Sequence, residues 1–488
     1  VAWSLFVCLF VSVFLSLSLL VLVDQTDLTM KSWLLFVALV VGCLHVVVAQ
    51  EKVELFGKDI PKNLHLAFTN VSTAMVISYH TQHSTDVTRC WYYPVSTSNP
   101  DSAIAVDGTQ DFYDGFKAGY NHDVIINGLD VDTLYAYKCG DDNLQSDWYQ
   151  FQTRADNITS FTFGIYGDLG VDRAANSFES LNRVHSTNDW QFVWHLGDIS
   201  YANDHVNFEG IWNTWFENLA PLLSSTPYMV SPGNHEKWSR DPFLHDGSRN
   251  FTAFDQKFRM PGLESVGVDT NFFYSFDFGP IHVVSLNTEY GYTGYPVDPE
   301  PLYEGTLNPQ GYNMPHPVDA VEQTSYLQMN WLQEDLAKAN ANRDNVPWIF
   351  VGGHRPVYEV NDQRDGVPYQ TSFKLQQWLE PLFQEYNVDV YFSGHVHHYS
   401  RNWPVYNNEV TQKSYENPKV TTYIVHGSPG NIEGNEGIKE TIPDWYAFGD
   451  SQFSYAEVTI FNSTALRWRV YESGTDAILD EITLTRER

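Results

Sequence analysis

Five short stretches of this 488-residue chain carry metal-capable side chains directly after a glycine. They are Gly167-Asp168, Gly197-Asp198, Gly233-Asn234-His235, Gly353-His354 and Gly394-His395-Val396-His397. Asp after Gly is ordinary turn chemistry, and one such pair would mean little. Five of them, most directly behind an apolar run, mean more. In open α/β sheets the carboxyl ends of strands meet at one crevice, so these residues are expected to gather there. Carboxylates, an amide and imidazoles crowded out of water are unfavourable unless they bind cations. Asp oxygens with His nitrogens suit first-row transition metals, and a shared carboxylate can hold two of them roughly 3.5 to 4 Å apart, the layout of a hydrolytic two-metal site. His395 and His397, two residues apart at a strand end, can present one imidazole to each metal.

The elements that must position these residues are legible around them. After Ser160 the chain alternates strand, loop and helix, with strands expected at Phe161–Tyr166, Gln191–Trp194, Pro227–Val230, Ile281–Leu286, Trp348–Val351, Val388–Phe392 and Thr422–Val425. Leu375, Trp378, Leu379, Leu382 and Phe383, and likewise Tyr326, Met329, Leu332 and Leu336, fall at helical spacing. The pattern predicts a largely β core covered by helices, over residues 160–430. Residues 290–320, rich in Gly, Pro and Tyr, read as a long surface excursion. Ahead of this, residues 51–155 show short alternating strands separated by turn residues, the pattern of an antiparallel sandwich. Residues 450–488 return to strand alternation and read as a small cap on the main domain.

Charge narrows the function classes. Sixty acidic against 28 basic residues, a net charge of -32, argue against electrostatic capture of nucleic acid or anionic lipid. An anionic substrate therefore needs local positive charge, such as bound metal. The chain opens with an apolar run from Val1 to Val23, and its first methionine is Met30. Lys31, the apolar stretch Trp33–Val48 and a small residue at Ala49 give the layout of a secretory signal peptide over 30–49, with 1–29 as an upstream segment; the alternative is a membrane span within 1–23. Cleavage after Ala49 leaves Cys90 and Cys139, expected to form one disulfide, with two separate thiols as the alternative. Asn70, Asn157, Asn250 and Asn462 head glycosylation triplets. The expected location is extracellular, or the lumen of the secretory pathway or vacuole, without stable membrane association once the signal is removed. His80, His83 and His122 read as surface histidines, and Trp212, Trp215 and Trp238 as mostly core.

Taken with their flanks, Gly167-Asp168-Leu169-Gly170, Gly197-Asp198-Ile199-Ser200-Tyr201-Ala202, Gly233-Asn234-His235-Glu236, Gly352-Gly353-His354-Arg355-Pro356 and Gly394-His395-Val396-His397 resemble, in order, the five blocks of the purple acid phosphatases within the calcineurin-like metallophosphoesterases. Tyr201, three residues after Asp198, is the mark of the narrower family. The resemblance implies an α+β, multidomain fold: a fibronectin-III-like β-sandwich, then a βαβ metallophosphoesterase domain with a β-sandwich core flanked by helices, then the family's C-terminal extension. It implies that Asp168, Tyr201 and His397 bind Fe(III), that Asn234, His354 and His395 bind a divalent ion (Zn, Fe or Mn), and that Asp198 bridges them. Phenolate and carboxylate are hard donors favouring Fe(III), while imidazoles and an amide suit a divalent ion.

The implied activity is hydrolysis of small phosphate monoesters by a metal-bound hydroxide, which such a centre can supply even in acid. His235, beside a ligand but not needed to complete the shell, is assigned to the phosphate as a hydrogen-bond donor that can assist the leaving oxygen. Plant members carry further histidines after the block that holds His354, but Tyr358–Gln363 has none here. His398 and Arg355 are the substitute candidates for the acid, with His426 a further candidate at the site rim. The alternatives are a phosphodiesterase or nucleotide pyrophosphatase on the same scaffold, and a surface binding protein with a vestigial metal domain. A homodimer is compatible with the resemblance.

Overall fold

A computed structural model describes residues 60–113, 119–188, 190–237, 251–289, 318–361, 363–364, 367–368, 370–439 and 442–487. The signal segment, Asn250 and Trp238 lie outside these, as does most of the 290–320 excursion. Pro61–Arg488 forms one compact unit.

Two four-stranded sheets make the N-terminal sandwich. One runs in the order Lys62–Phe68, Ala74–Thr81, Gly119–Asn127, Thr109–Tyr113, and the other Ile104–Asp107, Arg89–Pro94, Leu134–Gly140, Tyr149–Gln152. Cys90 and Cys139 are direct register partners on neighbouring strands, with Cα atoms 4.0 Å apart, and form the disulfide. The surface assignment of His80 and His122 is overturned, and only His83 is exposed. The His122 ring stacks on Tyr79 and is held by the Thr81 and Thr88 hydroxyls, while His80 pairs with Asn121. Hydroxyl and amide partners let an imidazole sit in a core where the sequence pattern alone suggests solvent. The sandwich packs tightly on the rest of the unit: Phe68 meets Phe192, Phe276 and Phe278, and the Tyr137 hydroxyl donates to the Ser224 carbonyl.

Two further sheets face each other. The first runs Tyr228–Ser231, Val193–Leu196, Phe161–Tyr166, Ser454–Asn462, Ala465–Glu472, Ile478–Thr485, with its first three strands parallel. The second runs Tyr274–Phe278, Ile281–Leu286, Trp348–Gly353, Val390–Ser393, Thr422–His426, Tyr399–Asn402, Tyr446–Asp450, with four consecutive parallel strands. These parallel strands are mostly apolar and buried along almost their whole length, because both faces are covered. Their inner faces meet through Phe163 and Phe350, Trp194 and Phe392, and Phe392 stacked on Trp468. Helices Ala175–Asn188 and Phe208–Asn218 pack on the first sheet, the latter through Trp215 against His195 and Tyr228, and Val318–Ala341 and Gln370–Glu385 pack on the second, through Asp335 to His282 and Phe383 against Tyr391. Among the described residues no helix is long and apolar enough to cross a membrane.

The tail is not a cap. Strand Ser454–Asn462 pairs antiparallel with Phe161–Tyr166, and Trp468 enters the central core, so the tail completes the first sheet. Alternation in a tail shows that a strand exists but not which edge it joins.

Candidate metal centre

All five Gly-containing stretches lie at the carboxyl ends of parallel strands, and three of them, through Asp198, Asn234-His235 and His395-Val396-His397, line one cleft of about 350 Å³. The turns are tight: Asp168, Asp198, Tyr201 and His395 take left-handed backbone conformations, with φ of 62°, 52°, 56° and 68°. Such non-glycine strain persists only where surrounding structure over-determines it. The glycines allow close approach: a Cβ on Gly233 would collide with the Asp198 carboxylate, and one on Gly394 with that of Asp168.

The candidate ligands fall into two sets. The Tyr201 hydroxyl lies 3.1 Å from Asp168 Oδ1 and 2.9 Å from His397 Nε2. His354 Nε2 lies 3.0 Å from Asp198 Oδ2 and 3.1 Å from Asn234 Oδ1, and the nearest ligand atoms of Asp198, His354 and His395 all fall within 4.8 Å of one another. His354 Nδ1 donates to the Leu196 carbonyl and His397 Nδ1 to that of Gly434, which points each Nε2 lone pair inward as metal-binding histidines require. Burial, then the charges of Arg355 and His354, pushes His395 well below its ordinary pKa, which favours the neutral ring, and the Arg355 guanidinium, 3.0 Å away, donates to its Nε2. Burial opposes charge on His354, but Asp198 and Asp168 outweigh it and raise the group to about 10; a cation competes for that same lone pair. Burial, followed by Asp168 and Asp198, holds the Tyr201 phenol protonated far above its usual range. Oxygen-rich and nitrogen-rich sets of buried donors, crowded together out of water, fit two metal ions.

Residues 61–153 match the family described as purple acid phosphatase N-terminal domain, residues 161–399 the calcineurin-like phosphoesterases, and residues 420–481 the iron/zinc purple acid phosphatase-like protein C family. An acid phosphatase A of Cryphonectria parasitica is 30% identical over 75% of this chain and 80% of its own. Acid phosphatase type 7 of Danio rerio is 27% identical over 88% and 92%. The chain belongs to the purple acid phosphatase family. The solved structure of a purple acid phosphatase from yellow lupin (Lupinus luteus) seeds shares the fold, with a TM-score of 0.70 at 20% identity, over 88% of this chain and 75% of that one. This purple acid phosphatase is thus a phosphatase with a metallophosphoesterase domain, and its family indicates a dimetal centre.

The remaining expected site residues divide. His235 lines the cleft. Its backbone N–H donates to Asp198 Oδ1, and its Nδ1 lies 2.9 Å from Asn203 Oδ1 and 3.2 Å from Asp204 Oδ2, which leaves Nε2 toward the cleft, 3.9 Å from Asp198 Oδ2. Burial would lower its pKa, but Asp198, Asp204 and Glu433 outweigh burial and raise it to about 9. Arg355 also lines the cleft, though a guanidinium does not release a proton and so supplies charge rather than acid. His398 is fully buried, not a lining residue: Nδ1 lies 3.4 Å from Asn361 Nδ2 and Nε2 3.3 Å from Ser400 Oγ, and burial, then His397, lowers it to about 4. His426 is interior, packed against Tyr399 and Trp468, not at the rim.

Sequence reasoning gave no role to Asn203 and Asp204 behind His235, to Asn431, which donates to the Tyr201 oxygen, to Glu236, or to Glu289. Glu289 follows the strand Ile281–Leu286 much as the glycine blocks follow theirs, but as Asn287-Thr288-Glu289, without the glycine that draws attention to the others. Asn361, within the stretch lacking histidine, lines the cleft.

Proposed function

We propose that this phosphatase hydrolyses phosphate monoesters at a binuclear centre held by Asp168, Tyr201 and His397 on one side and Asn234, His354 and His395 on the other, with Asp198 shared. The observation that carries the reading is the clustering of these seven side chains from two sheets: Asp198, Asn234, His395 and His397 line one polar cleft, and Asp168, Tyr201 and His354 lie behind it within 3.4 Å of one of those four. Fe(III) and a divalent ion, when bound, supply an activated water and neutralise the phosphate. The rest falls to the chain. His235, fixed through Nδ1 by Asn203 and Asp204, holds its Nε2 proton where a phosphate or leaving-group oxygen can accept it. Arg355 adds a cation to the wall. Tyr201 and Asp168, excluded from water, give the donor set its hard face.

Secretion belongs to the same reading, supported by the signal layout at 30–49, the Cys90–Cys139 disulfide and exposed triplet asparagines at 70, 157 and 462. The test is elemental analysis and a visible spectrum of purified protein beside turnover of a monoester. Close to two metal ions per chain, one of them iron, are expected, with a visible band lost in Tyr201→Phe. An iron-loaded, folded Tyr201→Phe variant with the band unchanged would take Tyr201 out of the iron's ligand set.

A further inference from the structure

Arg355 faces two ways. On its inner side Nε lies 2.7 Å from Glu289 Oε1 and Nη2 2.9 Å from Oε2, a two-pronged pair with a carboxylate that is 1% exposed. On its outer side Nη1 lies 3.0 Å from His395 Nε2 and Nη2 3.3 Å from Asn234 Oδ1. Its backbone is pinned as well, its N–H donating to Thr288 Oγ1 and its carbonyl accepting from the Tyr391 hydroxyl. Glu289 is in turn held by a chain of contacts from the outer helix. Gln328 exchanges hydrogen bonds with the Asn287 backbone, and Asn287 Oδ1 accepts from the Glu289 N–H. A guanidinium clamped this way has lost its rotamer freedom before any ligand arrives.

The outer contacts use the lone pairs that the divalent ion would take. With His395 Nε2 and Asn234 Oδ1 committed to a cation, the outer N–H groups of Arg355 stand on the cleft wall, where an anionic substrate oxygen can accept from them. A monoester dianion carries one more unesterified oxygen, and one more charge, than a diester monoanion. We propose that Arg355 is the specificity-determining residue that favours monoesters over diesters by binding this extra oxygen, and that Glu289 is its positioning residue. Glu289 also offsets the repulsion between the guanidinium and a neighbouring metal ion. The inference rests on the monoesterase reading above.

The experiment compares metal-loaded wild type, Glu289→Gln, Arg355→Met and the double variant on p-nitrophenyl phosphate and bis(p-nitrophenyl) phosphate. Inhibition by inorganic phosphate and metal content are measured alongside. Each single variant is expected to lose about ten- to a hundredfold in monoester kcat/KM, the scale of one hydrogen bond between charged groups, and to bind phosphate correspondingly more weakly. Diester kcat/KM should change by less than about threefold. The double variant should be no worse than Arg355→Met, since Glu289 acts only through the arginine. It also removes the buried charge that Arg355→Met leaves unpaired, so it remains informative if that single variant folds poorly. Equal losses on both esters, unchanged phosphate inhibition, or loss of metal from the double variant would overturn the proposal while leaving the phosphatase reading intact. A metal-loaded wild type without turnover of either ester would overturn both.

Discussion

Glu236 ties together two of the loops that present the candidate ligands, and replacing it tests how the centre is built. Its Oε2 accepts from the backbone N–H groups of Asp198 and Gly233, each at 2.8 Å, and its Oε1 from that of Ile199 at 2.7 Å. The side chain is buried. In Glu236→Gln the volume is kept but only one oxygen remains, so however the amide turns, at least one backbone N–H faces an NH2 group. A hydrogen bond to a charged acceptor contributes about 1.5–3 kcal/mol, and a buried donor left unpaired costs about 1–3 kcal/mol. One bond lost and the others weakened to a neutral acceptor give a destabilisation of about 3–5 kcal/mol. Unfolding entropy of roughly 2.1 cal/mol/K per residue makes about 0.9 kcal/mol/K for a unit of this size, so the melting midpoint of metal-free protein should fall by about 3–6 °C. With the Asp198 and Asn234 loops no longer tied, metal affinity should drop about 10–100-fold, the range seen when groups supporting a ligand are removed. Calorimetry of metal-free protein and metal titration measure the two effects. Burial, then Asp198, pushes Glu236 up to about 8, with the backbone N–H groups opposing. Three donors on two oxygens are what an anion satisfies and a carboxylic acid does not. Were the group neutral, glutamine would be its near-isostere, and an unchanged midpoint with unchanged metal affinity would refute the reasoning.

His235→Asn should keep both metals and the visible band while kcat falls about ten- to a thousandfold, the scale of losing one transition-state donor, and more steeply for poor leaving groups if the imidazolium also protonates the departing oxygen; metal loss would contradict the assignment. His282, between Asp277 at 2.7 Å and Asp335 at 2.8 Å, joins the helix Val318–Ala341 to the second sheet. Burial would lower its pKa, but the two carboxylates raise it to about 9. A raised folded-state pKa contributes stability that is complete below the unfolded value near 6.5 and lost as pH climbs through about 9, here about 3 kcal/mol. Denaturation midpoints measured from pH 6 to 10 should decline across that window, and His282→Gln should flatten the decline; the same slope in the variant would rule the histidine out.

Strand existence was legible because burial on both faces writes itself as apolar runs. Phe161–Tyr166 and Ile281–Leu286 fall where the runs predict, and the other parallel strands within two residues. Their ends drift because turn residues such as Gly353 and His426 stay in register with a neighbour after the apolar signal has stopped. What stayed hidden is pairing. Nothing in the alternation of Tyr455–Ile460 says that it joins Phe161–Tyr166, nearly three hundred positions away, and that choice turns an expected cap into the middle of a sheet. The histidines of the sandwich fail for a related reason. Polarity reads as exposure unless partners are known, and the partners of His122 are Thr81 and Thr88, 41 and 34 residues away.

The same distinction runs through the site. Residues that could bind metal announce themselves, since Asp, His and Asn after glycine at strand ends are few and have a chemical reason to be there. The groups that aim them do not, because their role is defined by what they touch. Asp204 is an unremarkable acid until the turn after Tyr201 sets it 3.2 Å from His235 Nδ1. Glu289 is one of 60 acidic residues until its strand end meets Arg355. For an acidic protein acting on an anion this is the decisive layer. Asp204 and Glu289 add negative charge, yet each directs a cationic side chain, His235 or Arg355, that lines the cleft. If that layer works as argued, removing a carboxylate behind the site should weaken phosphate binding, the opposite of what a simple count of charge near an anion predicts. The Glu289→Gln comparison reads that sign directly.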